Sequence, residues 1–321
     1  MENFSGFFYR DKESGASSLK YIPESEHKRI LNTSEDIPEQ APSFPLFLDE
    51  VGISNKTLWI SLPEGLIPFE ATITVSLPPD SRGIHMSRME GAISELHGVL
   101  FESPTVYAEE LARKIGEKQT GDKVSVNLSG KIPLIQTTTA SRNKSIDSVM
   151  IDISVSGLKK DENLKLETVL SAGMDHITAC PCTQEYNRAL FNTESSKCLP
   201  THSQRSSTRL AVRVSNGYPE WKDLVTCIKS ALHTTNDLLK RNDEAEIVLK
   251  SHSAPQFAED AARETARAAG RIMGGKLSSD TPVKIESLSL ESIHTHNVWC
   301  KVSTTMGRIT EIENSLKKSD S

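Results

Sequence analysis

The strongest constraint on the fold of this chain is a strict period of two at residues 69–77. Phe69, Ala71, Ile73, Val75 and Leu77 fall on one face, and Glu70, Thr72, Thr74 and Ser76 on the other. Neighbouring side chains on a strand point to opposite faces, so this pattern describes a strand with one buried and one solvated side, as in an antiparallel sheet. The same rhythm returns at Val124, Val126 and Leu128, at Val149, Ile151, Ile153 and Val155, and at Leu210, Val212 and Val214. Between these stretches the apolar spacing changes to three and four. Met89, Ile93, Leu96 and Leu100 mark one helix, and Ser103-Pro104 supplies the cap and first turn of another carrying Tyr107, Leu111 and Ile115.

Strand, helices, strands predicts an α+β unit whose helices lie on one face of an antiparallel sheet. The second half varies the same plan. It has a strand near 166–170, a helical stripe of Trp221, Leu224, Val225, Ile228 and Leu232, and a short strand at 246–250. An Ala-rich helix follows with Ala258, Ala262, Ala266, Ala269 and Met273 as its inner face, then strands near 283–290 and 298–303. Residues 1–43, rich in Ser, Glu, Lys and Pro with little periodicity, read as a flexible N-terminal arm. The expected partition is therefore an arm at 1–43, a first module at 44–160 and a second at 161–321.

Composition bounds the chemistry. The 321 residues give ample core for one large or two ordinary domains, and no apolar run is long enough to span a membrane. Met-Glu-Asn-Phe-Ser-Gly has no basic and apolar signal-peptide pattern, and five cysteines without a disulfide-framework spacing point to a reducing cytoplasm. The net charge of −6 offers no basic field for nucleic acid. An anionic small-molecule substrate would need a locally basic pocket.

Thiol, imidazole and carboxylate groups recur at separated places. Thr-Ala-Cys180-Pro-Cys182-Thr-Gln is followed by Thr201-His202-Ser-Gln204-Arg205, then Arg241-Asn-Asp243-Glu244, then Glu291-Ser-Ile-His294-Thr-His296. These are ligand types for a divalent transition metal, and a site gathered from distant segments suits a catalytic metal. The one-residue spacing of Cys180 and Cys182 argues against a thioredoxin-like pair. In an extended stretch the two would share a face, and a turn at Pro181 would redirect one of them; two buried small hydrophobes is the plainer alternative. His202 is a loop imidazole beside Gln and Arg, suited to proton transfer near neutrality. Glu291 and His294 share a face if helical and converge if in a turn, while Ile293 and Val298 read as core-directed. Glu259 is an acid in a first helical turn, placed there by the helix dipole or by a need to grip a purine edge. Arg82-Gly-Ile-His85-Met-Ser-Arg88 is either a solvated loop or a phosphate-binding segment.

Taken in order, Arg-Gly-Ile-His-Met-Ser-Arg, Thr-Ala-Cys-Pro-Cys-Thr-Gln, Thr-His-Ser-Gln-Arg, Leu-Lys-Arg-Asn-Asp-Glu, Phe-Ala-Glu-Asp and Glu-Ser-Ile-His-Thr-His resemble the GTP cyclohydrolase family. That family comprises the bacterial type IB and archaeal type IV enzymes, and the Ile-Thr-Ala start and long insert before His202 look more like the archaeal branch. The resemblance runs from about residue 44 to 311. It implies tandem tunnelling-fold (T-fold) modules and a homotetramer, a dimer of dimers with interfacial sites. It also implies Cys180, Glu244, Glu291 and His294 as metal ligands, His202 as acid/base residue and Glu259 as the guanine anchor; on the reading of the cysteine segment itself, the second thiol, Cys182, packs or assists in catalysis. Arg88, Arg205 and His85 would contact the triphosphate. Fe(II) is the implied metal, with Mn(II) or Zn(II) compatible. The implied reaction opens the imidazole ring of GTP at C8 and releases formate. Its product is 7,8-dihydroneopterin 2′,3′-cyclic phosphate with pyrophosphate in the archaeal branch, or dihydroneopterin triphosphate in the other. Ser203 stands where the family motif has Asn, and Cys198 lies outside the pattern. A nitrile reductase of the same fold would need a Glu-Ser-Lys motif that the chain lacks, and a non-catalytic metal-binding protein is the alternative from another class.

Overall fold

The computed structural model describes residues 6–10, 19–160, 163–193 and 198–319. The chain forms two compact units, residues 1–47 with 78–84, and 48–77 with 85–321. In the smaller, β1 (Gly6–Arg10) pairs antiparallel with β2 (Leu19–Pro23), and α1 (Glu24–Thr33) follows. Arg82 N and Gly83 N both donate to Pro38 O, which fastens the 78–84 loop to this unit. Regular elements thus occupy part of the stretch expected to be a flexible arm. Helix α1 buries no residue and carries the ion pairs Lys28–Glu24 and Arg29–Glu26. A helix supported by charge pairs has no apolar stripe from which to be read.

The larger unit contains β3 (Leu48–Leu62), β4 (Gly65–Leu77), α2 (Met86–Glu95), α3 (Pro104–Lys118), β5 (Lys123–Thr137) and β6 (Lys144–Lys160). It continues through β7 (Asn163–Ala179), α4 (Pro181–Phe191), β8 (Ser203–Val214), α5 (Trp221–Ala231), β9 (His233–Thr234) and α6 (Arg241–Ser253). It ends with α7 (Ala258–Met273), β10 (Pro282–Ser289), β11 (Val298–Thr305) and α8 (Met306–Ser319). The sheet runs β11-β10-β8-β7-β6-β5-β4-β3 with every neighbour antiparallel, and β9 adds to β7. Before the β6–β7 connection the order is two strands, two helices and two strands; after it, α4 separates β7 from β8, and β9 lies among the helices that precede β10 and β11. One sheet nevertheless crosses the boundary expected at 160/161, with Lys160 facing Asn163.

Helices α3, α5 and α7 pack on one face of this sheet. The alternating residues read from the sequence meet them there. Phe69, Ile73, Val126, Ile153, Leu170 and Leu210 are buried, as are Leu111, Ile115, Leu224 and Ala269 on the helices. The opposite face is polar, with Asn127, Ser129, Ser154 and Ser156 exposed. Ser103 caps α3 as expected, its Oγ accepting from Val106 N at 3.3 Å with Pro104 in the first turn.

Several local expectations fail for identifiable reasons. Residues 246–250 are helical, inside α6, where the contiguous Ile247-Val248-Leu249 run imitates a buried strand. The helix is set instead by Asp243 Oδ2 accepting from Lys240 N and by the Glu246–Lys250 pair one turn apart. Leu100 lies beyond α2 and is exposed. On α7 the buried stripe is Ala258, Ala261, Ala262, Thr265, Ala268, Ala269 and Met273, with Ala266 only half-buried. An almost uniform run of alanines gives little contrast by which to fix the phase of a helix.

Candidate active site

The cysteine segment lies where β7 ends. Cys180 is the N-cap residue of α4 and Pro181 its first helical residue, so the Cys-Pro-Cys stretch is a strand-to-helix corner, neither extended nor a simple turn. Cys180 is half-buried with the N-terminal end of the helix dipole beside it, and Cys182 is exposed in the first turn. Cys180 N donates to His202 O at 3.1 Å, and Thr201 Oγ1 donates to Cys180 O at 2.6 Å. The start of β8 is thereby joined to the end of β7, continuing the ladder from Ala179 opposite Ser203. Ala179 N also donates to Gln256 O, which brings the start of α7 and Glu259 to the same end of the sheet.

His202 and the 290–297 connection meet there. The His202 and His294 rings are edge-to-face at 6.3 Å, and His294 stacks on His296 at 5.2 Å. His202 Nδ1 lies 3.1 Å from Gln204 Oε1, and Gln204 Nε2 lies 3.2 Å from Glu291 Oε1. Residues 292–296 form bends and no helix covers 291–297, which removes the helical alternative for Glu291 and His294. Ile293, expected to face the core, is exposed. Cys180, His202, Glu291 and His294 therefore converge on the end of β7, β8 and β10.

The other candidates are placed differently. Glu244 is exposed in the first turn of α6, whose Asp243 Oδ1 accepts from Ser141 N at 2.8 Å and so ties the helix to the β5–β6 turn. Among the described residues, the ligand atoms of Cys180, Glu244, Glu291 and His294 do not come within 4.8 Å of one another three at a time. The donor types of the set fit a divalent transition metal, since thiolate, imidazole and carboxylate together suit Fe(II), Mn(II) or Zn(II). Arg205 is exposed on β8. Glu259 stands at the rim of a cavity of about 590 Å³ between α7, β11 and α8, lined by Ala262, Ala266, Cys300 and Val302 among others. Burial, and then the Glu259 charge, push the Cys300 thiol up, and its Sγ donates to Ala258 O.

His85 and Arg88 are at the far end of the central strands. Gln119 Nε2 donates to His85 O, Arg88 Nη1 to Lys118 O, and Lys159 Nζ to Gln119 O. Lys159 faces Leu164 at the start of β7, whereas Cys180 follows its last residue. Sixteen strand steps at about 3.3 Å separate those points by roughly 50 Å.

The sequence reading missed the polar ladder behind the site. On β7, β8 and β10 the helix-covered face changes from Leu170, Ala172 and Met174, Leu210 and Val212, and Val283 and Ile285 to His176 and Thr178, Ser206 and Thr208, and Ser287 and Ser289, all buried. His176 Nε2 lies 2.8 Å from Thr208 Oγ1, and burial pushes its imidazole down to about 4, so it is neutral. Hydroxyls in an apolar register were visible in the sequence as the signal of this layer.

The family model described as type I GTP cyclohydrolase folE2 matches residues 35–300, and the chain belongs to that GTP cyclohydrolase family. Its similarity extends to archaeal proteins named GTP cyclohydrolase MptA. It is 29% identical over 311 residues to the one from Methanocaldococcus jannaschii, covering 87% of this chain and 97% of that one. It is 30% identical over 284 residues to the one from Korarchaeum cryptofilum, covering 88% and 96%. Among solved structures, a uricase from Bacillus fastidious superposes with a TM-score of 0.50 at 7% identity, covering 85% of this chain and 97% of that one. That last likeness is one of fold alone.

Proposed function

We propose that this protein is a metal-dependent GTP cyclohydrolase of the archaeal type, built from tandem tunnelling-fold modules. It opens the guanine imidazole ring of GTP at C8, releases formate, and forms 7,8-dihydroneopterin 2′,3′-cyclic phosphate with loss of pyrophosphate. The observation that carries this reading is the convergence of Cys180, His202, Glu291 and His294 at one sheet end, in a chain of this family. Similarity to proteins named MptA favours the cyclic-phosphate product over the triphosphate.

Cys180, Glu291, His294 and Glu244 are the residues that would hold the metal, with Fe(II) first and Mn(II) or Zn(II) compatible. Such a metal, when bound, supplies Lewis acidity that makes water nucleophilic near neutral pH. His202 takes the proton from water attacking C8 and returns protons as the ring opens. Cys182, exposed in the first turn of α4, is the assisting thiol in this reading. Glu259 accepts from adjacent N–H groups on the guanine edge while the apolar wall beside it takes the purine face. Arg205, with His85 and Arg88, meets the phosphates.

The placement of His85 and Arg88 at the opposite end of β7 from Cys180 supports a site completed by a second copy of the chain. The first copy brings the metal ligands and His202, and the second brings Arg88 and His85. A homotetramer with interfacial sites satisfies this arrangement. The test is formate release from GTP by the Fe(II)-loaded protein under anaerobic conditions, with Cys180→Ala alongside. The reading expects turnover in the parent, its loss in the variant, and a melting temperature changed by only a few degrees. Unfolding of Cys180→Ala together with absence of formate from the parent would make the metal structural.

A further inference from the structure

Gln204 has no part in the chemistry above, yet it joins two residues that do. Its Oε1 is 3.1 Å from His202 Nδ1, and its Nε2 is 3.2 Å from both Glu291 Oε1 and Ser289 Oγ. The amide NH2 thus faces Glu291 and the amide oxygen faces His202. An amide oxygen only accepts hydrogen bonds. The contact is a hydrogen bond when His202 carries a proton on Nδ1, which leaves Nε2 as the ring atom turned to chemistry.

The clamp has a firm base. Ser289 Oγ donates to Glu291 Oε1 at 2.8 Å, and Thr178 Oγ1 lies 3.1 Å from Ser289 Oγ and 2.7 Å from Ser206 Oγ. Thr178, Ser206 and Ser289 are all buried on adjacent strands. Each group has a partner, and a satisfied polar network on strands holds its members in one geometry.

We propose that Gln204 is a positioning residue that aims Glu291 as a ligand and locks His202 as the Nδ1–H tautomer, with Ser289 and Thr178 as its base. This rests on the ligand and proton-transfer roles proposed above. Outer partners of metal ligands commonly change metal affinity by about 10–100-fold when removed.

The test measures Co(II) affinity by chelator competition for the full-length parent, Gln204→Leu and Gln204→Asn. Leucine removes both hydrogen bonds at similar bulk. Asparagine keeps the amide but is one methylene too short to span both partners, so it guards against a simple packing effect. Both variants are expected to bind Co(II) about 10–100-fold more weakly. Their kcat for GTP should fall by at least tenfold with KM within about threefold, because a positioning residue acts in the chemical step more than in substrate binding. Metal-free melting temperatures should stay close to the parent's. Parent-like Co(II) affinity and kcat in both variants would overturn this inference and leave the cyclohydrolase reading standing. A parent that binds no Co(II) would overturn both. A large fall in metal-free melting temperature with KM rising in step would make Gln204 merely structural and overturn its positioning role.

Discussion

Asp147 holds the part of the fold that carries Glu244, and replacing it gives a worked test of how the site is assembled. Pairing of β6 with β7 stops at Met150 opposite Gly173, and β9 takes over beside His176 and Ile177. Across that split Asp147 Oδ1 accepts from Ser145 Oγ at 2.8 Å and Asp237 N at 2.6 Å. Its Oδ2 accepts from Asn236 Nδ2 at 2.9 Å and from Gln136 Nε2. Asp147→Asn turns one oxygen into a donor. If that donor faces Asn236 and Gln136, Asn236 can reverse its amide, but Gln136 Oε1 is already taken by Lys229. One donor then opposes another, at a cost of about 1–3 kcal/mol. Asp147→Leu leaves all four donors without this acceptor, including a backbone N–H, and should cost about 3–5 kcal/mol. Urea midpoints should rank parent, Asn and Leu in that order. Hydrogen exchange read by mass spectrometry should rise first in residues 233–253, which contain Asn236, Asp237 and α6. Equal midpoints for the two variants, or unchanged exchange across 233–253, would refute the reasoning. Burial pushes the Asp147 carboxyl up, and its hydrogen bonds outweigh that and hold it below the usual aspartate range. The unfolded chain therefore protonates first. The Asp147 contribution is complete above the ordinary aspartate range and is lost in acid as pH falls through the lower folded value.

Three further outcomes are expected. His202→Ala should keep metal and GTP binding while kcat falls about 10²–10⁴-fold, the usual loss for a general acid–base group; undiminished turnover removes His202 from the chemistry. Glu259→Gln should weaken GTP affinity by about tenfold or more, as expected for a lost charged hydrogen bond, with melting temperature unchanged because Glu259 is exposed. An affinity for GTP equal to the parent's takes it out of the site. Arg88→Ala and Cys180→Ala should each be inactive alone and regain part of the activity when unfolded together and refolded, because mixed assemblies contain some intact interfacial sites. No recovery in verified mixed oligomers contradicts a site shared between copies.

The sheet was legible because period two survives wherever one face is buried, as at residues 69–77 and 149–155. The helices α3 and α5 were legible because their apolar stripes contrast with polar faces. α6 was misread since Ile247-Val248-Leu249 is compatible with a strand, and its deciding feature, a carboxylate capping Lys240 N and gripping Ser141 N, depends on a turn a hundred residues away. For the site, the residue types were readable and their grouping was not. Nothing local shows that Cys180 N meets His202 O or that Gln204 reaches Glu291, because strand pairing creates both contacts. Nor could spacing reveal that His85 and Arg88 stand at the opposite end of the strands from Cys180.

The most direct test is anaerobic incubation of the Fe(II)-loaded protein with GTP, with every product identified by mass spectrometry. The account predicts formate, pyrophosphate and 7,8-dihydroneopterin 2′,3′-cyclic phosphate in equal amounts. Dihydroneopterin triphosphate without pyrophosphate would contradict the archaeal-type assignment, and intact GTP with Fe(II), Mn(II) and Zn(II) alike would contradict the cyclohydrolase reading itself.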